Sequence, residues 1–286
     1  MGPEPGGGDD VRGGNSFLSD KRAVFAYSLT RPVCVSQKSL RESHNMTDPF
    51  LHHPELRDLV KPCQDSFFRT ITTDIVRAQI AQSGQPLTIN FHDETTREGL
   101  RAQALKGHTG DLYIFAYGSL MWDPAIEFTE VRRALAPGHE RRFILVDNRG
   151  GRGTSDSPGL MAALDEGQGC DGLVFRIAAD AVDAETEILF RREMIAPGYL
   201  ARFVPVVVDG ADAMALTFVA DHAQAHMRRD ISRNDQVRFA ATGSGILGSS
   251  LDYLKNTVEQ LEKLGITDPD ASDLLRAALA YGRENC

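Results

Sequence analysis

The sequence is poor in cysteine and has no long hydrophobic segment. Its 286 residues include four cysteines, none in a Cys-x-x-Cys pair, so the spacings of zinc ribbons and dithiol redox centres are absent. No apolar run approaches the roughly 20 residues of a membrane-spanning helix. The N-terminus lacks a charged start followed by an apolar stretch, so we expect no signal peptide. These absences predict a cytoplasmic protein with reduced thiols.

Positive charge is also scarce. The chain has 31 Lys and Arg against 40 Asp and Glu, a formal net charge of −9. Nucleic-acid binding requires basic surface that replaces counterions, and anionic membranes attract basic segments, so we expect neither partner. A hydrophobic content of 42% is typical of a globular protein. Nothing in the composition indicates an oligomeric state.

The chain divides into three segments. Residues 1–64 begin with a Gly- and Pro-rich stretch and are predicted to form a poorly structured extension, within which Met46 is an alternative start of the natural chain. Residues 65–110 are predicted to contain a helix at 65–83 and a polar linker at 92–110. From residue 111 the pattern changes to short apolar runs, which begin the third segment, 111–286.

The third segment is predicted to have strands first and helices last. The candidate strands are residues 112–120, 142–147, 160–165, 172–177, 202–208 and 213–219. The candidate helices are residues 180–195, 249–265 and 271–284, with Asp180 and either Asp270 or Ser272 as N-caps. One helix between strands, followed by a helical end, predicts an α+β fold.

Two glycine-rich segments invite a nucleotide-binding interpretation. Residues 243–248 have the spacing G-x-G-x-x-G, but the polar residues before them do not form a buried strand, and a helix follows where a strand is required. We interpret them as a loop between two helices. Residues 148–155 lack the Gly-Lys-Ser/Thr of a phosphate-binding loop. Their Arg149 and Arg152 either hold an anionic group such as a carboxylate or lie in a mobile hairpin loop.

Two further patterns suggest hydrolytic chemistry. Ser119 follows a strand, but no glycine stands where a nucleophile elbow requires one. His222 and His226 have the i, i+4 spacing of a metal pair without the HEXXH motif. Solvated surface histidines are the favoured interpretation.

Glu193 ends a predicted apolar helix face. Val182, Thr186, Leu189 and Glu193 fall on one side of a helix at 3.6 residues per turn. Partial burial and the negative end of the helix dipole would both raise the pKa of Glu193 and make it a better base. The alternative, favoured by the pattern alone, is a frayed last turn in which Glu193 pairs with a neighbouring surface charge.

The order of these segments resembles the ChaC family. Residues 114–124 (IFAYGSLMWDP) are similar to its motif, in which Phe-Gly-Tyr-Gly-Ser-Leu is followed by Trp and Pro. Further matching groups follow in the family's order and at similar spacing: Arg141-Arg142-Phe143, Arg152-Gly153-Thr154, Pro158-Gly159, Arg192-Glu193-Met194 and Gly198-Tyr199. The resemblance covers about residues 111–281 and identifies residues 111–286 as a γ-glutamylcyclotransferase-like catalytic domain.

The resemblance implies a fold, a reaction and a site. The fold is a small mixed β-barrel flanked by helices, and the reaction converts glutathione to 5-oxoproline and Cys-Gly without cofactor or metal. Carried onto this sequence, Glu193 is the catalytic base. The implied substrate-binding residues are Tyr117, Gly118, Ser119, Leu120, Arg152 and Tyr199.

Three departures from the family pattern bear on substrate choice. Ala116 replaces a glycine, Leu160 stands where relatives commonly have arginine, and residues 225–227 (AHM) replace a segment that carries a tyrosine. They leave open a cyclotransferase that acts on another γ-glutamyl amine or dipeptide. A non-enzymatic regulatory binding module is the alternative from another class, but such a module need not retain Glu193.

Overall fold

A closed barrel of five strands forms the centre of the computed structural model, which describes residues 1–2, 48–86 and 88–284. Its strands, in the spatial order β1-β3-β2-β4-β5, are β1 (Leu112–Ala116), β2 (Glu130–Asp147), β3 (Gly159–Ile177), β4 (Tyr199–Val208) and β5 (Ala211–Ala220). Most neighbours are antiparallel, whereas β5 pairs in parallel with β1 and β3 and closes the barrel. The predicted mixed barrel is confirmed.

The strands β2 and β3 are longer than the hydrophobic pattern predicts. They pair from Glu130–Arg176 to Asp147–Gly159, with a register shift between Pro137 and His139. The predicted strands 160–165 and 172–177 are therefore two parts of β3. The pattern missed the polar residues between them because backbone hydrogen bonds continue the ladder where the side chains are exposed.

The described part of the chain has six α-helices outside the barrel: α1 (Thr73–Gln82), α2 (Glu94–Ala104), α3 (Val182–Glu193), α4 (Arg233–Thr242), α5 (Ser250–Lys263) and α6 (Pro269–Glu284). The predicted caps are wrong at two of them. Helix α3 follows Ala181 without a side-chain cap, and in α6 the N–H of Ala271 donates to Asp268. No helix among the described residues is long and apolar enough to cross a bilayer.

The G-x-G-x-x-G segment is a tight hairpin between α4 and α5, formed by β6 (Ser244–Gly245) and β7 (Gly248–Ser249). It packs against the loop between β2 and β3. A Cβ atom at Gly245 would lie 2.4 Å from the carbonyl oxygen of Gly151, and one at Gly243 would lie 2.3 Å from the Cα of Gly159. These glycines therefore permit backbone contact, and the interpretation as a loop between two helices is confirmed.

Residues 48–64 pack onto the barrel domain. They contain 3-10 turns at Pro54–Leu56 and Cys63–Asp65, and Leu56 and Val60 are buried in the cluster that includes β1 and α3 residues. A poorly structured extension over 1–64 was expected, and these residues depart from that expectation because they bury apolar side chains. The rest of the extension, residues 3–47 with Met46, lies outside the described residues.

Residues 65–110 contain more helix than predicted. The predicted helix 65–83 is a 3-10 turn at Phe67–Arg69 followed by α1, and the predicted linker contains α2. Hydrophobic periodicity missed α2 because the helix has no fully buried residue: Leu100 and Ala104 pack partly buried against the core, and its other contacts are polar. Asp93 caps it by accepting the N–H of Thr96 at 2.7 Å, and Arg101 pairs with Glu98 and Asp183 at 2.8 Å.

Candidate active site

The residues Tyr117–Leu120, which we call the Tyr117 turn, follow β1. The chain leaves the strand at Ala116 and enters a 3-10 turn at Ser119–Met121. Arg141, buried in β2, donates from Nε to the carbonyl oxygen of Tyr117 at 2.5 Å and from Nη2 to that of Asp171 at 2.7 Å. The turn is thus attached to the barrel through one buried guanidinium group.

Glu193 is the last residue of α3 and faces the Tyr117 turn. Thr186 and Leu189 are fully buried, which confirms the predicted helix face. The side chain of Glu193 is only 16% exposed, and its Oε1 lies 2.8 Å from Nε of Arg192. Burial raises the pKa of Glu193, while the charge of Arg192 opposes that shift. Glu193 therefore does pair with a neighbouring charge, as the alternative interpretation of the sequence expected, but the pair with Arg192 is buried.

Arg192 connects Glu193 to its surroundings. Its Nη2 donates to Oγ of Ser119 at 2.9 Å, and its Nη1 donates to the carbonyl oxygen of Asp123. The guanidinium group lies over the ring of Phe68, 4.1 Å from the ring centroid. One arginine therefore joins the carboxylate, the Tyr117 turn and the segment before the barrel.

Three tyrosines surround the carboxylate. Tyr117 donates from its hydroxyl to the carbonyl oxygen of Phe218 at 2.8 Å, and Tyr199 donates to that of Ala162 at 3.3 Å. The hydroxyl of Tyr253 accepts the N–H of Ala162 at 3.4 Å. Burial raises the pKa values of Tyr117 and Tyr199 well above the usual range, so both are neutral hydrogen-bond donors at physiological pH.

Two connected cavities bring the predicted site residues together. The small cavity, about 30 Å³, is lined by the Tyr117 turn, Glu193, Tyr199 and Tyr253. The main cavity, about 170 Å³, shares Ser119, Glu193, Tyr199 and Tyr253 with it. The main cavity also has a basic and partly aromatic lining: Phe68, Arg149, Arg152, Arg192 and His226. A larger cleft of about 740 Å³ beside α2 is lined by none of the predicted site residues, so size does not identify the site here.

Arg152 lies in the wall of the main cavity. Its Nη1 donates to the carbonyl oxygens of Leu247 and Ser249 at 2.7 and 3.3 Å, and its guanidinium group lies 4.9 Å from the ring centroid of Tyr253. Burial lowers its pKa. The arginine is therefore held in place by the hairpin after α4, and its charge is directed toward Tyr253 and the cavity.

The side chains that a serine hydrolase or a metal site would need do not lie together in the described residues. The hydroxyl of Ser119 is bonded to Arg192, and no histidine contacts it within the described chain. His222 pairs with Asp165 at 2.9 Å, whereas His226 lines the main cavity. The described residues contain no group of three or more His, Cys, Asp or Glu that could hold a metal ion.

Residues 112–280 match the model of the ChaC-like protein family. The chain belongs to the ChaC-like family. The match includes the Tyr117 turn, Arg152, Glu193 and Tyr199, and it confirms the resemblance that the sequence motifs indicate. Phe68 precedes the matched range, although it contacts Arg192.

Named relatives support this membership. The chain is 36% identical over 183 residues to the glutathione-specific γ-glutamylcyclotransferase of Escherichia coli (strain K12), covering 64% of this chain and 79% of that protein. It is 26% identical over 179 residues to the glutathione-specific γ-glutamylcyclotransferase 1 of Danio rerio, covering 61% and 89%. Among solved structures, the yeast γ-glutamylcyclotransferase specific to glutathione aligns with a TM-score of 0.56 at 18% identity, over 62% of this chain and 99% of that one. This ChaC-like chain thus shares the fold of the yeast enzyme.

Three site residues were missed by the sequence analysis. Tyr253 lies on α5, Phe68 lies in the segment before the barrel, and Arg192 was considered only as a surface partner of Glu193. Only Arg192 had a sequence signal, because it belongs to the Arg-Glu-Met group of the family motif. Nothing local marks Tyr253 or Phe68, since packing between distant segments brings them to the cavity.

Proposed function

We propose that this chain is a glutathione-specific γ-glutamylcyclotransferase, a lyase that converts glutathione to 5-oxoproline and Cys-Gly. The observation that carries the proposal is the desolvated carboxylate of Glu193, which lines one cavity with the Tyr117 turn and Tyr199. Family membership and the names of the relatives support the same reaction. The free thiols of Cys63 and Cys170 agree with a reducing compartment, and we propose the cytoplasm.

The proposed reaction is an intramolecular aminolysis. The α-amine of the γ-glutamyl group attacks its own γ-carbonyl carbon, a C–N bond closes the five-membered ring, and the original amide C–N bond breaks. Glu193 accepts a proton from the attacking amine and returns one to the leaving nitrogen. Because burial raises the pKa of Glu193, the carboxylate is a stronger base than an exposed glutamate.

The Tyr117 turn is suited to hold the γ-glutamyl group. The N–H of Met121, directly after the Tyr117 turn, donates to the carbonyl oxygen of Gly118 at 2.8 Å. The amides of Ser119 and Leu120 precede this first bond of the 3-10 turn and have no acceptor within it, and such donors stabilise a developing oxyanion or bind a carboxylate. Since the reacting groups belong to one molecule, holding the curled conformer supplies much of the rate increase.

The other site residues complete the proposal. Tyr199 is a neutral donor beside Glu193 and can orient the γ-carbonyl group. Arg152 supplies positive charge for a substrate carboxylate. Together with Gly118, Ser119 and Leu120 these residues hold the substrate without a metal or a cofactor, and residues 111–286 form the catalytic domain.

The substitution Glu193→Gln tests the base. The change keeps the size of the side chain but removes the basic oxygen, so we expect release of 5-oxoproline to fall by at least about a hundredfold, with folding retained. Glu187→Gln is the matched control, because Glu187 lies on the same helix with its side chain 49% exposed. Near-normal 5-oxoproline release by the Glu193 variant would contradict the proposal.

The alternative functions differ in the substrate they prefer and in whether they turn it over at all. A panel of γ-glutamyl amines and dipeptides, assayed for 5-oxoproline, distinguishes a glutathione enzyme from a cyclotransferase with another preference. Binding of glutathione without any 5-oxoproline would instead indicate a regulatory module. Activity lost to EDTA and restored by zinc would favour a metallohydrolase.

A further inference from the structure

Positive charge exceeds negative charge in the lining of the main cavity. Three guanidinium groups, those of Arg149, Arg152 and Arg192, share this cavity with one carboxylate, that of Glu193. Arg192 is paired with Glu193, and Arg152 donates to backbone carbonyl oxygens, which carry no full charge. A substrate that brings negative charge into the cavity would therefore be stabilised by the residues that line it.

Arg149 is the guanidinium group without a partner. The described residues provide neither an ion pair nor a hydrogen bond for its side chain, and its Nε is buried. Burial lowers the pKa of Arg149, with the charge of Asp147 opposing that shift. A buried donor that lacks an acceptor costs free energy, and a ligand with an acceptor at this position recovers it.

The backbone that carries Arg149 is fixed. The carboxylate of Asp147 accepts the N–H of Arg149 at 3.0 Å and that of Arg152 at 2.5 Å. A Cβ atom at Gly153 would lie 1.9 Å from the nitrogen of Gly159, so the two ends of the loop are in backbone contact. The backbone of Arg149 is therefore held in place before any ligand binds, which lowers the entropic cost of ordering this part of the loop.

His226 contributes a second buried polar atom without a partner, although the imidazole also forms a hydrogen bond with the backbone of Pro197. Its Nε2 is buried and has no hydrogen-bond partner among the described residues. Burial and the nearby charge of Arg149 lower the pKa of His226. It lies in the segment 225–227 and lines the main cavity together with Arg149.

The positions of the two cavities decide which part of a substrate meets Arg149. The small cavity contains the Tyr117 turn and Glu193, where the proposed chemistry occurs, and Arg149 does not line it. Arg149 lines the main cavity, which shares Ser119, Glu193, Tyr199 and Tyr253 with the small one. A γ-glutamyl group seated at the turn would have room for its leaving group in the main cavity, beside Arg149.

We propose that Arg149, with His226 beside it, binds the C-terminal carboxylate of the leaving dipeptide. This inference rests on the proposed function and adds a basis for specificity: the enzyme selects γ-glutamyl compounds whose leaving group carries a negative charge. Arg149 acts on substrate binding, because the carboxylate it holds is remote from the bonds that form and break.

The test compares glutathione with its C-terminal carboxamide, in which the glycine carboxylate is uncharged. For the wild-type enzyme we expect kcat/KM to be about tenfold to a hundredfold higher for glutathione, the range of a charge-assisted hydrogen bond. Arg149→Ala should remove this difference by raising KM for glutathione, with kcat and the carboxamide kinetics nearly unchanged. Arg149→Lys should restore part of the preference, and His226→Leu should reduce it less than Arg149→Ala does.

Arg228→Ala is the matched control, because Arg228 lies two residues from His226 with its side chain 41% exposed and pairs with Asp230. Equal turnover of both substrates by the wild-type enzyme would refute the role of Arg149 and leave the proposed function standing. Loss of both activities in a folded Arg149→Ala variant would also refute it, since the effect would not depend on the terminal carboxylate. No 5-oxoproline from either substrate with the wild-type enzyme would refute the proposed function itself.

Discussion

Phe68 offers a test of whether the segment before the barrel takes part in the active site. Its ring supports the guanidinium group of Arg192, which in turn contacts Glu193 and Ser119. The Arg192 side chain is only 4% exposed, so the cation–π contact is worth about 1–2 kcal/mol. If that energy holds Arg192 and Glu193 in the reactive arrangement, Phe68→Ala should lower kcat/KM for glutathione about 5- to 30-fold.

The neighbouring Phe67 provides the matched control. It is 37% exposed and touches Phe68 edge to face, with ring centroids 5.6 Å apart. We expect Phe67→Ala to leave kcat/KM within about twofold of the wild type, and Phe68→Leu to lose nearly as much as Phe68→Ala because it lacks the π face. Thermal unfolding of each variant separates lost stability from lost activity. Wild-type kinetics in folded Phe68→Ala, or an equal loss in Phe67→Ala, would refute this reasoning.

Three other substitutions probe charges in and around the barrel. Arg141→Met leaves the carbonyl oxygen of Tyr117 without its donor, and breaking a buried ion-pair network should lower the free energy of unfolding by about 3 kcal/mol, as measured by urea denaturation. For Asp165, burial opposes ionisation, but hydrogen bonds from Arg229 and His222 prevail and hold its pKa well below the usual range. Its stabilisation is therefore present above the unfolded-state pKa of about 4 and is lost as pH falls below that value, so the Tm difference between wild type and Asp165→Asn should shrink on acidification. Removing the charge of Arg192 by Arg192→Met should raise the pKa of Glu193 further, so the acid limb of kcat/KM should move to higher pH, whereas Arg191→Met should leave it unchanged.

The sequence predicted the parts of the fold that depend on local periodicity. Helix α3 (Val182–Glu193) lies within the predicted range 180–195, and its predicted face is confirmed because Thr186 and Leu189 repeat at helical spacing and both are buried. It did not predict α2, which is capped by Asp93 and forms ion pairs through Arg101. Polar contacts of this kind depend on distances between side chains, and hydrophobic periodicity does not report them.

The candidate site was predictable where the motif is contiguous and not where it is assembled from distant segments. The Tyr117 turn and Glu193 come from two separate matches, and the structure brings both to one cavity. Tyr253 reaches the same cavity through packing of α5, and Phe68 reaches the adjacent main cavity through packing of the segment before the barrel. His92 is another residue whose contact no local motif predicts. Its backbone N–H donates to the carbonyl oxygen of Ile195, just beyond α3, at 3.0 Å.

The basicity of Glu193 depends on how firmly Arg192 is held. Burial alone would favour a protonated carboxyl group, and a freely moving guanidinium group would pair with it closely enough to weaken it as a base. Arg192 is instead shared among Glu193, the hydroxyl of Ser119 and the carbonyl oxygen of Asp123, with Phe68 against its face. Its Nη1 and Nη2 atoms donate to these other acceptors, and its Nε lies against Oε1 of Glu193, an arrangement suited to leave the other oxygen for the substrate amine. The segment before the barrel thereby acts on the proposed base through the arginine.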